Sequence, residues 1–532
     1  MTKNGYKIVL TADRTLMSEY HGGLFFGFTA CVPSGLMPDR LYFSLLSPSV
    51  EVNDDGSVKY APCGLRKIEA ALLDYGFDRD DIIVAHPEHL EKLVGPETRV
   101  VGVSETDPLG IGPATSSFSQ LLGEEAYMAM KFKELLSHHA IQRFKPQIVV
   151  GGPGAWQLED GKAREELGID CVIIGEGEKI AGPIFEKAVN REELPDLVQG
   201  EVVPKEEIPI IKKPTICGLI EIARGCGRGC KFCVPTLQQY RCLPIDHILT
   251  EVEVNLRAGR QPLLHAEDVL RYKAKGTKIN EEAVIALFRT VCNYPGVEGP
   301  SISHFSLSSV AAAPEVVEEI SNIMRLKKRE VWLGGQTGIE TGSPKLMKMH
   351  MCGKCKPFRP EEWPDVVVEA FDILSKSSWI PAATLIFGLP RETDRDLDLT
   401  IDLVERLRSF RSLIVPLFLV SVGALRGRAE SFTAEDMRLK HSELYVKCWE
   451  HNLFWTPSLL DDYCRISIRS RIVRHGLKIV FSHVLKQLEG ITKRCRDEYD
   501  YDLPAMIRDI KSGRTKAVPL KTRLAFQLLK LV

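Results

Sequence analysis

The run Ala223-Arg224-Gly225-Cys226-Gly227-Arg228-Gly229-Cys230-Lys231-Phe232-Cys233 decides how this sequence reads. Three cysteines stand at C-x3-C-x2-C spacing in a short loop with three glycines. Three thiolates are one fewer than the four that usually hold a [4Fe–4S] cluster, so one iron would stay open to a ligand from outside the protein. The glycines let the backbone wrap close to the sulfides, and the arginines offset thiolate charge. A zinc knuckle is the rival reading. It would want a fourth ligand nearby, and Cys242 is the only close thiol.

Phe232 sits immediately before the third cysteine. With it, the run closely resembles the signature of the radical S-adenosylmethionine (radical SAM) enzymes. The resemblance implies a [4Fe–4S] cluster on Cys226, Cys230 and Cys233, with SAM on the open iron. It also implies a low-potential electron donor such as ferredoxin or flavodoxin, and cleavage of SAM to a 5′-deoxyadenosyl radical.

Downstream, helical patterns alternate with short apolar runs at Leu263 to Ala266, His304 to Leu307, Val331 to Leu333, Ala382 to Phe387 and Ile414 to Val420. With Cys217 to Ile222 these make six βα-type units, the number of the partial barrel typical of the family. Loops after the strands build the active sites of such barrels. Three strand ends resemble SAM-holding motifs: Asp268 in His265-Ala266-Glu267-Asp268, Glu340 in Gly338-Ile339-Glu340-Thr341-Gly342-Ser343, and Gly388 in Gly388-Leu389-Pro390-Arg391-Glu392-Thr393. Arg391 stands where the family carries a second glycine. Helix capping is the plainer reading of Asp268, and a helix N-terminal charge that of Glu340. Cys352 and Cys355 could share a second cluster with Cys448 and Cys464, or be ordinary loop residues.

Upstream, strand and helix patterns alternate from Lys7 onward, which argues a doubly wound parallel sheet with ligands beyond the carboxyl ends of its strands. Ser104, Gly151-Gly152-Pro153-Gly154 and Gly175-Glu176-Gly177-Glu178 fall at those ends. In this order they resemble the cobalamin-binding domain that precedes the radical SAM core in one large subfamily. Cobalamin is the cofactor this implies, with those residues as contacts. The Asp-x-His-x-x-Gly motif is missing at a βα turn. Asp13 with His21-Gly22-Gly23 comes nearest, at the wrong spacing. An empty structural domain is the alternative, and Asp13-Arg14-Thr15 is placed on the ligand edge.

The fold expected is thus α/β. A Rossmann-like doubly wound sheet spans 1–200, a linker 201–214, a partial (β/α)6 barrel 215–430 and a helical region 431–532. That last region is expected to cover the open side of the barrel. Its basic amphipathic stretches, Arg465 to Leu488 and Lys521 to Val532, suit either a packed helix or peripheral membrane contact. Net charge is −2, which argues for no nucleic acid partner. Fourteen cysteines in so long a chain read as thiols and metal ligands of a reducing cytoplasm. No signal peptide is evident, and the longest apolar run, Leu413 to Leu425, is too short to span a membrane. Cobalamin-dependent methylation of an unactivated carbon in a small molecule or lipid is the expected reaction. Ring or cross-link formation in a lipid, as in archaeal relatives that modify tetraethers, is the second reading, and a redox-sensing module the third.

Overall fold

The computed structural model describes residues 4–20, 24–35, 38–122, 125–234, 239–468, 470–512 and 514. Six strands, β1 (Ile8–Thr11), β2 (Ile82–Val84), β3 (Val100–Ser104), β4 (Gln147–Gly151), β5 (Cys171–Ile174) and β6 (Leu197–Gln199), form one parallel sheet. Their order is β2-β1-β3-β4-β5-β6. Valine and isoleucine dominate because both faces are covered. Along β1, Ile8 and Leu10 enter one core and Val9 the other, as the period of two requires. Strand order reverses between β1 and β3, so the crevice at their carboxyl ends is the expected ligand position. β6 escaped the sequence reading because Leu197 and Gln199 are exposed at the sheet edge.

Six more parallel strands follow: β7 (Leu219–Glu221), β10 (Leu263–His265), β11 (Ser301–Ile302), β12 (Leu333–Glu340), β13 (Trp379–Phe387) and β14 (Leu413–Phe418). They pair as β11-β10-β7 and β12-β13-β14. A parallel bridge between His304 and Gln336 joins the two sheets into one partial barrel. Between β7 and β10, the strands β8 (Ala223–Arg224) and β9 (Arg241–Cys242) make an antiparallel pair around the cysteine loop.

The structure corrects two sequence expectations and adds to a third. The third barrel strand lies at Ser301–Ile302, and a helix, Leu307–Ala312, begins where that strand was expected to end. The segment Gly334 to Glu340 is itself strand β12, with a register shift between Gly338 and Glu340, rather than a loop after the strand. The β14 side of the barrel is covered by the C-terminal region, where Asn452 bonds both the N–H and the carbonyl of Ile414 at 2.7 Å, and also by an N-terminal helix, Pro113–Leu122, that the sequence did not place there. Ser117 Oγ accepts the Phe418 N–H at 2.6 Å, Gln120 Oε1 accepts the Ala434 N–H at 2.8 Å, and Leu121 enters the barrel core.

The C-terminal region forms two long helices, Leu439–Ser467 and Arg471–Tyr499. The first packs on β14 through buried residues such as Leu444 and Val446. Further along, Leu460, Tyr463 and Leu477 join Tyr42 and Tyr127 of the N-terminal region in a separate core. Residues 21–23 and the tail 521–532 lie outside the described residues. Among the described residues no helix is long and apolar enough to cross a membrane.

Candidate active site

The cysteine loop leaves the carboxyl end of β7 and is pinned from three sides. Arg228, on its crest, spends its guanidinium on protein partners: Asp268 Oδ2 at 2.9 Å, Ser309 Oγ at 2.9 Å, Ser308 Oγ at 3.0 Å and the Lys354 carbonyl at 3.1 Å. Arg271, also buried, donates to the Cys226 carbonyl. The Lys231 N–H donates to the His350 carbonyl at 2.9 Å. Gly353 must be glycine, since a β-carbon there would stand 1.9 Å from the Arg228 carbonyl oxygen. Cys352-Gly353-Lys354-Cys355 is therefore the outer wall of the cysteine loop.

Sulfur chemistry within the loop is uneven. Burial raises the Cys226 thiol. The hydrogen bond between Cys230 and Cys233 brings Cys230 down to about 7, against burial and with help from Lys354; the same bond pushes Cys233 up. Among the described residues no three His, Cys, Asp or Glu donors converge on one point. Thiolates of a cluster sit on separate irons and need no common point. Three thiols on one loop, faced by a buried cation, fit a thiolate-held cluster.

That cation is Lys354, which the sequence reading passed over as a loop residue. Its Nζ donates to Glu340 Oε1 at 2.7 Å. Burial opposes its charge, but Glu340 and then Cys230 hold its pKa above the usual lysine value. Glu340 itself is buried, has a left-handed φ of 64°, and accepts from Thr384 Oγ1 at 3.2 Å. Strain of that kind persists where the surroundings over-determine it. The signal available in the sequence was a lone lysine between the two cysteines of a C-x2-C.

The other candidate residues separate. Asp268 is buried and engaged by Arg228 and Ser309. The Gly388 N–H donates to Glu392 Oε2 at 3.0 Å, and the Phe432 ring packs over its α-carbon. Cys355 and Cys448 are both buried in the barrel core, whereas Cys464 lies in the separate core shared with Tyr42, so the four thiols do not share one core. Inside the barrel, at the ends of β10 and β11, His265 meets Ser303 at 2.9 Å and His304 meets Gln336 at 2.9 Å. The two rings lie 5.7 Å apart. Burial, then His265, pushes His304 down to about 3, so it is neutral. His304 had been read only as part of a strand.

On the N-terminal sheet, Ser104 and Gly151 close β3 and β4, and Gly152 turns at φ 101° against the Glu105 carbonyl. Gly175 and Gly177 shape the turn after β5, and its two glutamates turn toward the cysteine loop. Arg224 meets Glu178 Oε1 at 2.5 Å, Glu221 Oε2 at 2.8 Å and Glu176 Oε2 at 3.1 Å. Arg241 donates to both oxygens of Glu176. Glu176 and Glu178 thus bind the strands that flank the cluster loop. In the β1/β3 crevice, Asp13 and Glu105 are wholly buried, and the Asp13 N–H donates to Glu105 Oε1 at 2.9 Å. Side-chain hydrogen bonds link Asp13 to Thr15 and to Glu105, and among the described residues no other group reaches Asp13 Oδ2, Glu105 Oε2 or Thr15 Oγ1.

Fold and cysteine loop together define the class: a six-stranded Rossmann-like sheet followed by a partial six-stranded barrel with a three-cysteine loop after its first strand. Among solved structures, the chain resembles the radical SAM methyltransferase TsrM from Kitasatospora setae, determined with cobalamin and a [4Fe–4S] cluster bound. The TM-score is 0.52 at 14% identity, covering 79% of this chain and 77% of that one. A second TsrM structure, with tryptophan substrate and the SAM analogue aza-SAM, gives 0.52 over 79% and 75%. At that identity the likeness is one of fold. Two curated relatives are tRNA-2-methylthio-N(6)-dimethylallyladenosine synthases. The one from Psychromonas ingrahamii is 21% identical over 273 residues, 49% of this chain and 54% of that protein. The one from Alcanivorax borkumensis is 24% identical over 298 residues, 51% and 60%. The match thus spans little more than half of these relatives. No protein-family model matches the chain.

Proposed function

We propose that this chain is a radical SAM enzyme that transfers a methyl group to an unactivated substrate carbon with the help of cobalamin. The observation that carries the reading is the three-cysteine loop at the end of β7, walled by Cys352 to Cys355 and faced by the buried Lys354–Glu340 pair. A [4Fe–4S] cluster with SAM supplies one-electron reductive cleavage, and cobalamin a methyl group. Cys226, Cys230 and Cys233 would hold the cluster. Arg228 and Arg271 keep the loop rigid, and Lys354 offsets thiolate charge. Glu340, at the mouth of β12, offers acceptors to the amino or hydroxyl groups of SAM. The buried polar group of Asp13, Glu105 and Thr15 in the β1/β3 crevice presents oxygens that suit a ligand carrying amide donors. The TsrM fold supports methyl transfer over the other radical outcomes.

The test uses anaerobically reconstituted protein with SAM and dithionite. 5′-Deoxyadenosine should form, and S-adenosylhomocysteine should accompany it only when cobalamin is added. Cys230→Ala should abolish both. Activity retained by that variant would remove the cluster assignment. Deoxyadenosine alone, regardless of cobalamin, would remove methyl transfer.

A further inference from the structure

We propose that His265 and His304, inside the barrel, form a recognition site for an uncharged hydrogen-bond donor of the substrate, an amide or an alcohol. Calling the occupant a substrate rests on the reading above. The site itself rests on the geometry of the two rings.

Burial alternates along the barrel strands. Ile220, Leu264 and Ile414 are wholly buried, while their neighbours Glu221, His265 and Val415 keep part of their surface. On β12 two glycines show which face is which. A β-carbon on Gly335 would meet the Phe305 ring, on the core side, and one on Gly338 would meet Lys354 Nζ. Gln336 shares the face of Gly338 and not that of Gly335, so it points into the barrel. It lies two residues, about 7 Å, deeper along the strand than the glycine beside the Lys354–Glu340 pair. His304 bonds Gln336 from just past the end of β11, and its ring lies 5.7 Å from that of His265 at the end of β10. The two rings therefore sit below the level at which Glu340 and the cysteine loop would hold SAM.

The ring nitrogens decide what the site accepts. Gln336 Oε1 can only accept, so His304 Nε2, at 2.9 Å, carries the hydrogen. In the neutral ring Nδ1 is then a bare acceptor, and it is buried with no partner among the described residues. A buried acceptor of this kind calls for a donor. Ser303 gives its hydrogen to the Ala266 carbonyl at 3.3 Å and accepts from His265 Nδ1 at 2.9 Å. That leaves His265 Nε2 as a second free nitrogen on a partly exposed ring. Charge beside the rings is already matched. Glu221, which pairs with His265 across β7 and β10, is held by Arg224 at 2.8 Å and has Lys67 at 3.9 Å. Lys354 is spent on Glu340. A carboxylate or phosphate would therefore meet the His304 lone pair with no lysine or arginine left to offset it. A hydrocarbon chain would leave Nδ1 buried and unmet. An amide N–H or an alcohol O–H satisfies it.

The experiment uses the full reconstituted chain with SAM present, and benzamide, benzoate and toluene as probes of one shape and different polarity. Ligand-detected NMR titration should show benzamide bound, and benzoate weaker by at least about tenfold. His304→Phe keeps a ring and removes both nitrogens. Benzamide affinity should fall by about tenfold, while toluene should bind the variant at least as well as the parent. A merely structural role for His304 would weaken both probes together. His265→Phe leaves the His304–Gln336 bond in place. It should weaken benzamide in the same direction, and it carries the test if His304→Phe does not fold. No benzamide binding by the parent, benzoate bound as tightly as benzamide, or unchanged benzamide affinity in the folded variants overturns the proposal. So does an equal loss of affinity for aza-SAM in His304→Phe, which would put that ring on SAM. Failure of the parent to cleave SAM with dithionite would instead count against the enzymatic reading, and the titration would still decide the site.

Discussion

Replacing Lys354 with methionine tests whether the cysteine loop is held by a buried charge pair. The Lys354 side chain is 16% exposed and that of Glu340 is 7%, with 2.7 Å between Nζ and Oε1. Methionine keeps the volume and removes the charge. Glu340 is then left with Thr384 Oγ1 as its one other side-chain partner, at 3.2 Å. Removing one member of a buried pair costs about 3–5 kcal/mol, because the remaining charge is uncompensated. Partial exposure of Lys354 places this pair near the lower figure, about 3 kcal/mol. For a barrel of this size that corresponds to a fall of roughly 6–12 °C in the thermal midpoint. Differential scanning calorimetry of the protein reads it directly, following the barrel transition.

The double variant supplies the discriminating measurement. Glu340→Gln in the Lys354→Met background removes the stranded charge while keeping an acceptor for Thr384. It should recover more than half of the loss. A loss confined to lost packing would show no recovery. A fall of under about 2 °C in Lys354→Met, or a double variant no better than the single, would refute a buried, coupled pair beside the loop.

Four further outcomes follow from the same geometry. Burial raises Asp13 to about 6 and Glu105 well above its usual range, with Asp13 adding to the latter. The folded state therefore holds protons that the unfolded chain has released above about pH 4, and stability falls as pH rises through 6. The thermal midpoint of the N-terminal sheet should decline as pH rises from about 4 through 6, and Glu105→Gln should flatten that decline and exceed the parent at the upper end. Arg224→Met strands Glu178 and leaves Glu221 with Lys67 at 3.9 Å, costs about 3 kcal/mol, and should split calorimetric unfolding into separate sheet and barrel transitions; a single unshifted transition would contradict the clamp. Ser117→Ala leaves the Phe418 N–H without its acceptor, at about 1–3 kcal/mol, and should speed hydrogen exchange at the β14 edge while leaving β12 unchanged. Arg391→Gly relieves the left-handed φ and should stabilise by about 1 kcal/mol; stability lost instead would mean that the side chain packs.

Elements whose residues look inward were legible in the sequence. β1, β3, β4 and β13 are valine-, isoleucine- and alanine-rich because both faces are buried. β11 was misplaced because only Ser301 and Ile302 pair, a length too short for periodicity to register. β12 was mistaken for a loop because its glycines are usual loop punctuation. One of them, Gly335, lies so close to the Phe305 ring that a β-carbon would stand 2.7 Å from it. Of the site, the cysteine spacing was readable since three ligands fall within eight residues. Lys354, Arg271 and His304 were not, because each acts through a partner far away in the chain. No single-sequence pattern marks a lysine that will meet a glutamate across a strand end. The glutamates of Gly175 to Glu178 were placed correctly at a strand's carboxyl end, but which charge would face them depended on where the barrel docks.

That docking gives the molecule its functional geometry. Two contacts tie the sheet to the barrel at its two ends: Glu176 and Glu178 to Arg224 beside β7, and Ser117 and Gln120 to the β14 edge. Both sets of residues arise from segments that follow strands of the N-terminal sheet, β5 and β3. The carboxyl edge of that sheet is therefore the edge turned toward the barrel. The cysteine loop likewise follows the carboxyl end of β7. Two ligand edges that would be separate surfaces on isolated domains are brought to face a common space. The buried pair of Lys67 with Glu251, and Lys67's 2.7 Å bond to the Pro209 carbonyl, hold the linker in the same junction. Loosening the Arg224 clamp should therefore impair coupling between the two sites more than SAM cleavage itself: deoxyadenosine should persist in Arg224→Met while S-adenosylhomocysteine falls. Parallel loss of both products would place the role of Arg224 in the loop alone.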